Sequence, residues 1–389
     1  MNVEDTFFNK QKKEQKTEYL KLLEIMGKLS QLFSDNKIPY LHYRSMENIF
    51  CRTFTALNLA RSDVSADAKI KTLGVGLKTF IHGKGESFQK IAEFNKISPR
   101  LKALEVHERI KLISKMRNER IESTKRICKV DKMIYHLVTR CEGEMFLYEE
   151  NMDLIQTEQL HILKEKPESI IFSDEKNEYS FNNSKSVLLK RFLTPKENRL
   201  AQIPIEIITD PYEILLQLFA NFNKSPEIVA EPKIIDYIVL PLYSPITKKV
   251  EKKSGLNQWC ARGRKRDEDE VYIIIPVWIH KKKKDFFIYN TEDNKTAPFD
   301  VILPSGDTLS MKVAQDGGKA LMSNPNTALG KWILRDVLAL SYGEPVTKEM
   351  LDNIGIDSVK LSKRYDGVYM LDFLKTGSYE LFERRYNAK

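Results

Sequence analysis

Between Arg61 and Lys96 the chain reads RSDVSADAKIKTLGVGLKTFIHGKGESFQKIAEFNK, and this stretch narrows the folds open to it more than any other. Val64, Ala66, Ala68 and Ile70 alternate with Ser65, Asp67 and Lys69, which is the two-residue period of a half-buried strand. Lys71-Thr72-Leu73-Gly74 reads as a turn, and the apolar run Val75–Ile81 as a second strand with Lys78 in its middle, closed by Gly83 and Gly85. The spacing of Phe88, Ile91, Ala92 and Phe94 predicts a helix over 86–96. A hairpin running into a helix calls for a mixed α and β domain.

The hairpin carries charge where a structural hairpin needs none. Asp67 is on one strand, Lys78 on the next, and Glu86 and Glu93 on the loop and helix after it. Acids converging beside a lysine suit metal-dependent phosphodiester cleavage. Carboxylates hold Mg²⁺, which polarises the phosphate and activates water, while the lysine steadies developing negative charge. The plainer reading is an ordinary hairpin with solvated charges, since an Asp and a Lys on neighbouring strands are common.

At these residues the stretch resembles the PD-(D/E)xK core of type II restriction endonucleases. Asp67 matches the first acid and Lys78 the motif lysine, while the acid expected two residues before the lysine is Gly76. Some restriction enzymes carry that carboxylate on the following helix, which suits Glu93, with Glu86 in reserve. Glu47, on the helix before the hairpin, matches the additional acid some members use. The resemblance therefore implies Asp67 and Glu93 as metal ligands and Lys78 as the residue that orients or activates the attacking water.

At 389 residues the chain is long enough for two domains, with room for a third. Its 63 Lys+Arg against 54 Asp+Glu leave a net charge of +9, a modest surplus that favours a polyanionic partner. The four cysteines are scattered without a CxxC pair, so neither a zinc site nor a disulfide framework is expected, and a reducing cytoplasm fits. The polar N-terminus has no signal core, and no apolar run is long enough to span a membrane.

Residues 9–35 read as a charged amphipathic helix, and 45–59 as a second helix leading into the hairpin. Residues 99–127 read as a basic helix, on which Arg117, Asn118 and Arg120 are candidates for gripping phosphate, although Glu105, Glu108, Glu119 and Glu122 are also placed to pair along it. Residues 132–192 read as a run of strands, with His136 and Arg140 sharing one face. A short apolar helix, Tyr212–Phe222, precedes the polar segment NKSPEIVAEP at 223–232, where a boundary between domains 1–225 and 226–389 is expected.

The last third is β-rich and strongly basic around its loops. Residues 248–284 hold twelve Lys/Arg against five acids. Within them SGLNQWCARGRKRDEDEVYIIIP sets Asn257, Gln258, Trp259, Arg262, Arg264 and Arg266 in front of a strand. Arginine pairs bidentately with guanine and phosphate, and Asn and Gln match adenine. A second patch, QDGGKALMSNPNTALGKWILRDVL, offers Lys319, Asn324 and Asn326, then Lys331 and Arg335 on a helix starting near Thr327.

These two segments, followed by IGIDSVKL and YMLDF, are similar in order to the C-terminal recognition domain of NgoFVII-type restriction endonucleases. That domain is a B3-like β-pseudobarrel related to the readers of EcoRII, BfiI and plant B3 factors, and two of its arms grip the major groove of double-stranded DNA. The resemblance implies an α+β or α/β chain: an N-terminal mixed sheet flanked by helices, joined to this reader, acting as a type II site-specific deoxyribonuclease with Mg²⁺. It leaves a homodimer open, because a duplex has two strands to cut. NgoFVII-type enzymes themselves carry a phospholipase-D-like HxK motif with an Asp five residues on. Here His82-Gly83-Lys84 is followed by Gln89, and His280-Lys281-Lys282 by Phe287, so the motif is incomplete. A non-catalytic DNA-binding regulator and a metal-independent phospholipase-D-like nuclease are the alternatives.

Overall fold

A computed structural model describes residues 2–60, 62–220, 234–257, 267–290, 292 and 295–387. The chain divides into two compact units: residues 1–60, 65–118 and 130–229, and residues 61–64, 119–129 and 230–389. The boundary expected near 226 falls at 221–233, outside the described residues.

The first unit opens with helices α1 (Lys13–Lys28) and α2 (Tyr43–Phe54). Strands β1 (Leu57–Asn58), β2 (Ala68–Ile70), β3 (Leu73–Ile81) and β4 (Glu86–Glu93) follow, then helices α3 (Ser98–Lys102) and α4 (Val106–Cys128). The run of strands is β5 (Lys132–Cys141), β6 (Glu144–Asn151), β7 (His161–Lys166), β8 (Ser169–Ser173), β9 (Glu178–Asn182), β10 (Val187–Leu193) and β11 (Ala201–Pro204), closed by helix α5 (Pro211–Ala220). Six strands form one sheet in the order β1-β2-β3-β5-β6-β11; five form a second, β4-β10-β9-β8-β7. The first is mixed. β3 runs parallel to β5, and such a pair needs a crossover, which includes α4.

Each face of the first sheet has its own filling, as a two-residue period demands. Leu77, Ile134, Val138, Met145 and Leu147 pack with Tyr19 and Leu23 of α1 and Met46, Phe50 and Phe54 of α2. Fully burying each of these side chains contributes about 1.5–3 kcal/mol. The opposite face meets the second sheet, with ring centroids 5.9 Å apart for Phe80 and Phe192 and 5.0 Å for Tyr135 and Phe192. The second sheet in turn buries Phe172, Tyr179, Phe181 and Leu188 against Ile110, Ile113 and Met116 of α4.

The helix predicted over 86–96 is a strand. β4 pairs antiparallel with β10, and the register slips so that Leu188 faces Ala92 and Leu189 faces Lys90, leaving Ile91 as an extra, bulged residue. That insertion breaks the alternation and leaves apolar residues at spacings a helix would also show. The predicted strand over 64–70 is shorter too: only Ala68–Ile70 pairs, while the segment before it is irregular.

The second unit contains β12 (Ile234–Pro241), β13 (Ile273–Ile274), helix α6 (Val277–Lys282), β14 (Tyr289–Asn290), β15 (Lys295–Thr296), β16 (Phe299–Ile302), β17 (Thr308–Ala314) and β18 (Ala320–Ser323). A short helical segment α7 (Ala328–Gly330) passes into a π-helix (Lys331–Val337), followed by α8 (Lys348–Ile354), β19 (Ile356–Arg364), β20 (Tyr369–Lys375) and α9 (Ser378–Asn387). Nine strands curl into a half-barrel sheet on the path β12-β19-β20-β16-β17-β15-β14, with β18 between β17 and β13. Gly330 is required where it stands, because a Cβ there would lie 1.9 Å from the Asp269 carbonyl oxygen. Among the described residues no helix is long and apolar enough to cross a membrane.

Candidate active site and nucleic-acid interface

The two-residue turn between β2 and β3, with Lys71 in the left-handed region at φ +51°, folds the Asp67 segment back on β3. The Asp67 backbone N–H donates to the Val75 carbonyl at 2.8 Å, and its carboxylate accepts from the Leu77 N–H at 2.7 Å. Lys78 follows Leu77 on β3, and its charge acts on the Asp67 carboxyl. Burial pushes the Asp67 carboxyl up, opposed by the Lys78 charge, the Leu77 N–H and Arg44. Burial likewise pulls Lys78 down, opposed by Asp67 and helped by Arg117 and Lys90.

An acid of α2 feels the charges of both Asp67 and Lys78. Glu47 is 5 % exposed and holds Arg44 at 2.7 Å. Burial raises its carboxyl, and the Asp67 charge raises it further. Cys51, one turn along α2, feels burial and both carboxylates, and its thiol is pushed up to about 12. Glu93, assigned above to the metal, stands not on a helix but on β4, where Lys90 at 3.0 Å and Asn95 hold its carboxylate. Glu86 is on the same strand, paired with Arg191 at 2.8 Å. Gly76, in the place of the motif acid, lies under Met152 and Tyr135: a Cβ there would meet the Met152 methyl at 2.7 Å and the Tyr135 ring at 3.2 Å.

A row of polar groups lies behind Lys78, and of these the sequence points only to Arg117. Arg117, 3 % exposed, donates to Ser65 Oγ at 2.7 Å and to the Tyr135 hydroxyl at 2.9 Å. It braces the segment that leads into Asp67 and does not grip phosphate from the surface. Asn118 is likewise spent on the Ile155 backbone at 2.8 Å in both directions, and Arg120 lies half-buried against Gly355. Beyond Tyr135, Glu150 pairs with Lys190 at 2.6 Å, its carboxyl raised by burial despite that partner. The signal for Lys190 was present: it shares the inward phase of β10 with Leu188 and Phe192.

Two histidines are held by neighbouring side chains. His136 is fully buried, with Nδ1 2.7 Å from Glu149 and Nε2 2.9 Å from the Tyr19 hydroxyl. Arg140 turns to the Pro39 carbonyl. His82, the HxK candidate, has Nδ1 3.0 Å from Thr139 Oγ1 and an edge-on contact with Phe146, and burial and Arg199 pull its pKa down.

In the second unit, the candidates Gln258, Trp259, Arg262, Arg264 and Arg266 lie outside the described residues. Two others are corrected. Arg335 is a strut, bonded to the buried Asp269 carboxylate at 2.9 Å and to the Leu340 and Ser341 carbonyls. Asn257 ties the chain to Val346, accepting from its N–H at 2.8 Å and donating to its carbonyl at 3.1 Å. Lys319, Asn324 and Lys331 are exposed, as DNA contacts must be, and Asn326 is half-buried.

No curated protein matches the chain. Residues 236–365, by contrast, match the family model of the NgoFVII C-terminal B3-like DNA-binding domain, and this part of the chain is similar to a DNA-binding domain of that kind.

Proposed function

We propose that the chain is a type II restriction endonuclease whose C-terminal unit selects a short duplex sequence and whose N-terminal unit hydrolyses a phosphodiester bond with Mg²⁺. The observation that carries the catalytic half is the convergence of Glu47, Asp67 and Lys78 on one hairpin and the helix before it. Support for the DNA-reading half is the family match over 236–365. A mixed sheet with α1 and α2 on one face agrees with a restriction-endonuclease-like core.

Mg²⁺ is commonly held by one or two carboxylates with water and substrate phosphate completing six oxygens. Among the described residues no group of three or more His, Cys, Asp or Glu is arranged to hold a metal. Two carboxylates are enough, and the donor set suits a hard cation: Glu47 is buried and Asp67 half-buried, and both carboxyls are raised. Asp67 and Glu47 would therefore hold the ion, in place of Asp67 and Glu93. When bound, it would polarise the phosphate and lower the pKa of water. Lys78 orients the attacking water and offsets charge on the phosphate, and its lowered pKa eases proton transfer. The Leu77 N–H fixes the Asp67 carboxylate, and Arg117 holds the segment before it.

The test is plasmid cleavage with Mg²⁺, repeated in EDTA and with Asp67→Asn and Lys78→Met. Cleavage should need the metal and vanish in both variants, while duplex binding survives. Full cutting in EDTA would sink the metal mechanism and return attention to His82. The packing of Met152 on Gly76, which closes the motif-acid position, favours a second reading, a DNA-binding regulator. Sequence-specific binding by a chain that never cuts would establish it.

A further inference from the structure

The segment between β17 and β18 is a five-residue hairpin loop, Gln315–Lys319, since Ala314 pairs with Ala320. Three of its residues have positive φ: Gln315 at +71°, Gly317 at +69° and Gly318 at +67°. A loop this contorted does not hold itself together through local preference, least of all at Gln315, which lacks the freedom of glycine. One bond within the loop, from the Gly318 N–H to the Gln315 carbonyl at 2.9 Å, closes the turn, and contacts from outside hold it there. The Tyr289 hydroxyl donates to the Gln315 carbonyl at 2.8 Å and accepts from the Gly318 N–H at 3.1 Å, so one oxygen joins both ends of the turn. His280, on α6, donates from Nε2 to the Gly318 carbonyl at 2.8 Å. Both rings press on Gly318 so closely that a Cβ there would lie 3.2 Å from each. Past the turn, the Lys319 carbonyl accepts from the Ile275 N–H at 2.9 Å.

The clamp has a polarity. Gly318 is buried beneath it, whereas Asp316, Gly317 and Lys319 are exposed, and a Cβ on Gly317 would meet nothing within 4 Å. The rings hold the inner side of the loop and leave its outer side, with the Lys319 ammonium, open to solvent. A free hairpin loop would lose conformational entropy on binding; one already fixed loses little, and the difference appears as affinity. A lysine is a point charge on a flexible stem, which suits a phosphate better than a base edge.

We infer that Tyr289, with His280 behind it, is a positioning residue for DNA: it holds the 315–319 turn in its binding shape so that Lys319 meets a backbone phosphate. This rests on the DNA-binding reading of the second unit and assigns to that surface two residues that do not themselves touch DNA.

Tyr289→Phe tests it, because the ring contacts remain and only the hydroxyl goes. In the free protein, hydrogen exchange at the Gly318 amide should quicken at least twofold, as expected if the variant loses a net hydrogen bond of about 0.5–1.5 kcal/mol while the Gly318 N–H keeps its bond to the Gln315 carbonyl. Binding is then read by anisotropy on a labelled duplex with a randomised central segment, over a salt series, for the wild type, Tyr289→Phe, Lys319→Ala and the double variant. Lys319→Ala should weaken binding about fivefold and flatten the salt slope by about one. Tyr289→Phe should lose at least threefold, and the double variant should bind no more than twofold below Lys319→Ala, since the two act as one unit. Independent, multiplying losses, or unchanged exchange at Gly318, would overturn the inference and leave the DNA reading standing. A wild-type chain that ignores the duplex at low salt would overturn that reading, and the inference with it.

Discussion

Asp67 and Glu47 illustrate how a pair of acids is set apart from the other carboxylates around them. Each is drawn into the protein by backbone geometry, Asp67 by the β2–β3 turn and Glu47 by the buried side of α2; burial raises both carboxyls, and the Asp67 charge raises that of Glu47 further. Glu93, by contrast, is satisfied by Lys90 and Asn95. The two glutamates therefore make opposite predictions. Glu47→Gln should lower Mg²⁺-dependent cleavage by roughly 10²–10³, the scale of one lost transition-state contact. Glu93→Gln should stay within about threefold, because its partners are surface groups worth under about 1 kcal/mol. Plasmid nicking rates of the two variants side by side decide it; equal losses would mean that the ligand set is wrong. Gly76 yields a second prediction at this scale. Restoring the motif acid as Gly76→Glu forces a side chain into the Met152 methyl, 2.7 Å from the new Cβ. Overpacking of this kind costs about 1–3 kcal/mol, so the variant should melt lower than the parent, and Met152→Ala in the same chain should recover part of the loss.

At the scale of elements, what was legible depended on whether a residue's neighbours in sequence were also its neighbours in space. The Asp67–Lys78 proximity is a property of a local turn, within about a dozen residues, although Asp67 itself precedes the paired strand Ala68–Ile70. The helices Lys13–Lys28, Tyr43–Phe54 and Pro211–Ala220 were announced the same way, by their apolar stripes. β4 was misread because its identity comes from β10, a hundred residues on, and because its bulge at Ile91 erased the two-residue period. The Arg117–Tyr135 and Glu150–Lys190 pairs were invisible for the same reason: each joins elements that only the fold brings together. Cys51 turns this non-local chemistry into a measurement. The thiolate is the reactive form, and a thiol pushed up to about 12 carries on the order of 10⁻⁴ thiolate at pH 8. Cys51 should accordingly alkylate far more slowly than a free cysteine, by peptide mass spectrometry. Because Glu47 and Asp67 help to raise it, Glu47→Gln should lower the thiol pKa and speed the reaction. An unchanged rate would place Glu47 away from Cys51 and break the acid cluster.

For the molecule as a whole, the two units are not two halves of the sequence. The second takes in residues 61–64 and 119–129 besides 230–389, and those early segments are bonded into it. Ser62 Oγ donates to Asp372 at 2.8 Å, the Asp63 N–H donates to the Phe373 carbonyl at 3.2 Å, and the Asp63 carboxylate accepts from the Lys375 N–H at 2.8 Å. Arg126 Nε caps the Val337 carbonyl, also at 2.8 Å, at the last residue of the π-helix. A net hydrogen bond contributes about 0.5–1.5 kcal/mol, so these four together supply about 2–6 kcal/mol. A fragment starting at residue 230 contains the whole family match and every strand of the half-barrel, yet lacks all four. It should fold but melt about 5–15 °C below the same unit in the intact chain. The measurement is clean because all three tryptophans, Trp259, Trp278 and Trp332, lie in this part of the sequence, so tryptophan emission follows the second unit in either molecule. Asp63→Ala in the intact chain should move the same transition part of the way down. If fragment and intact chain melt together, residues 61–64 and 119–129 are passengers, and the reader is a domain that stands on residues 230–389 alone.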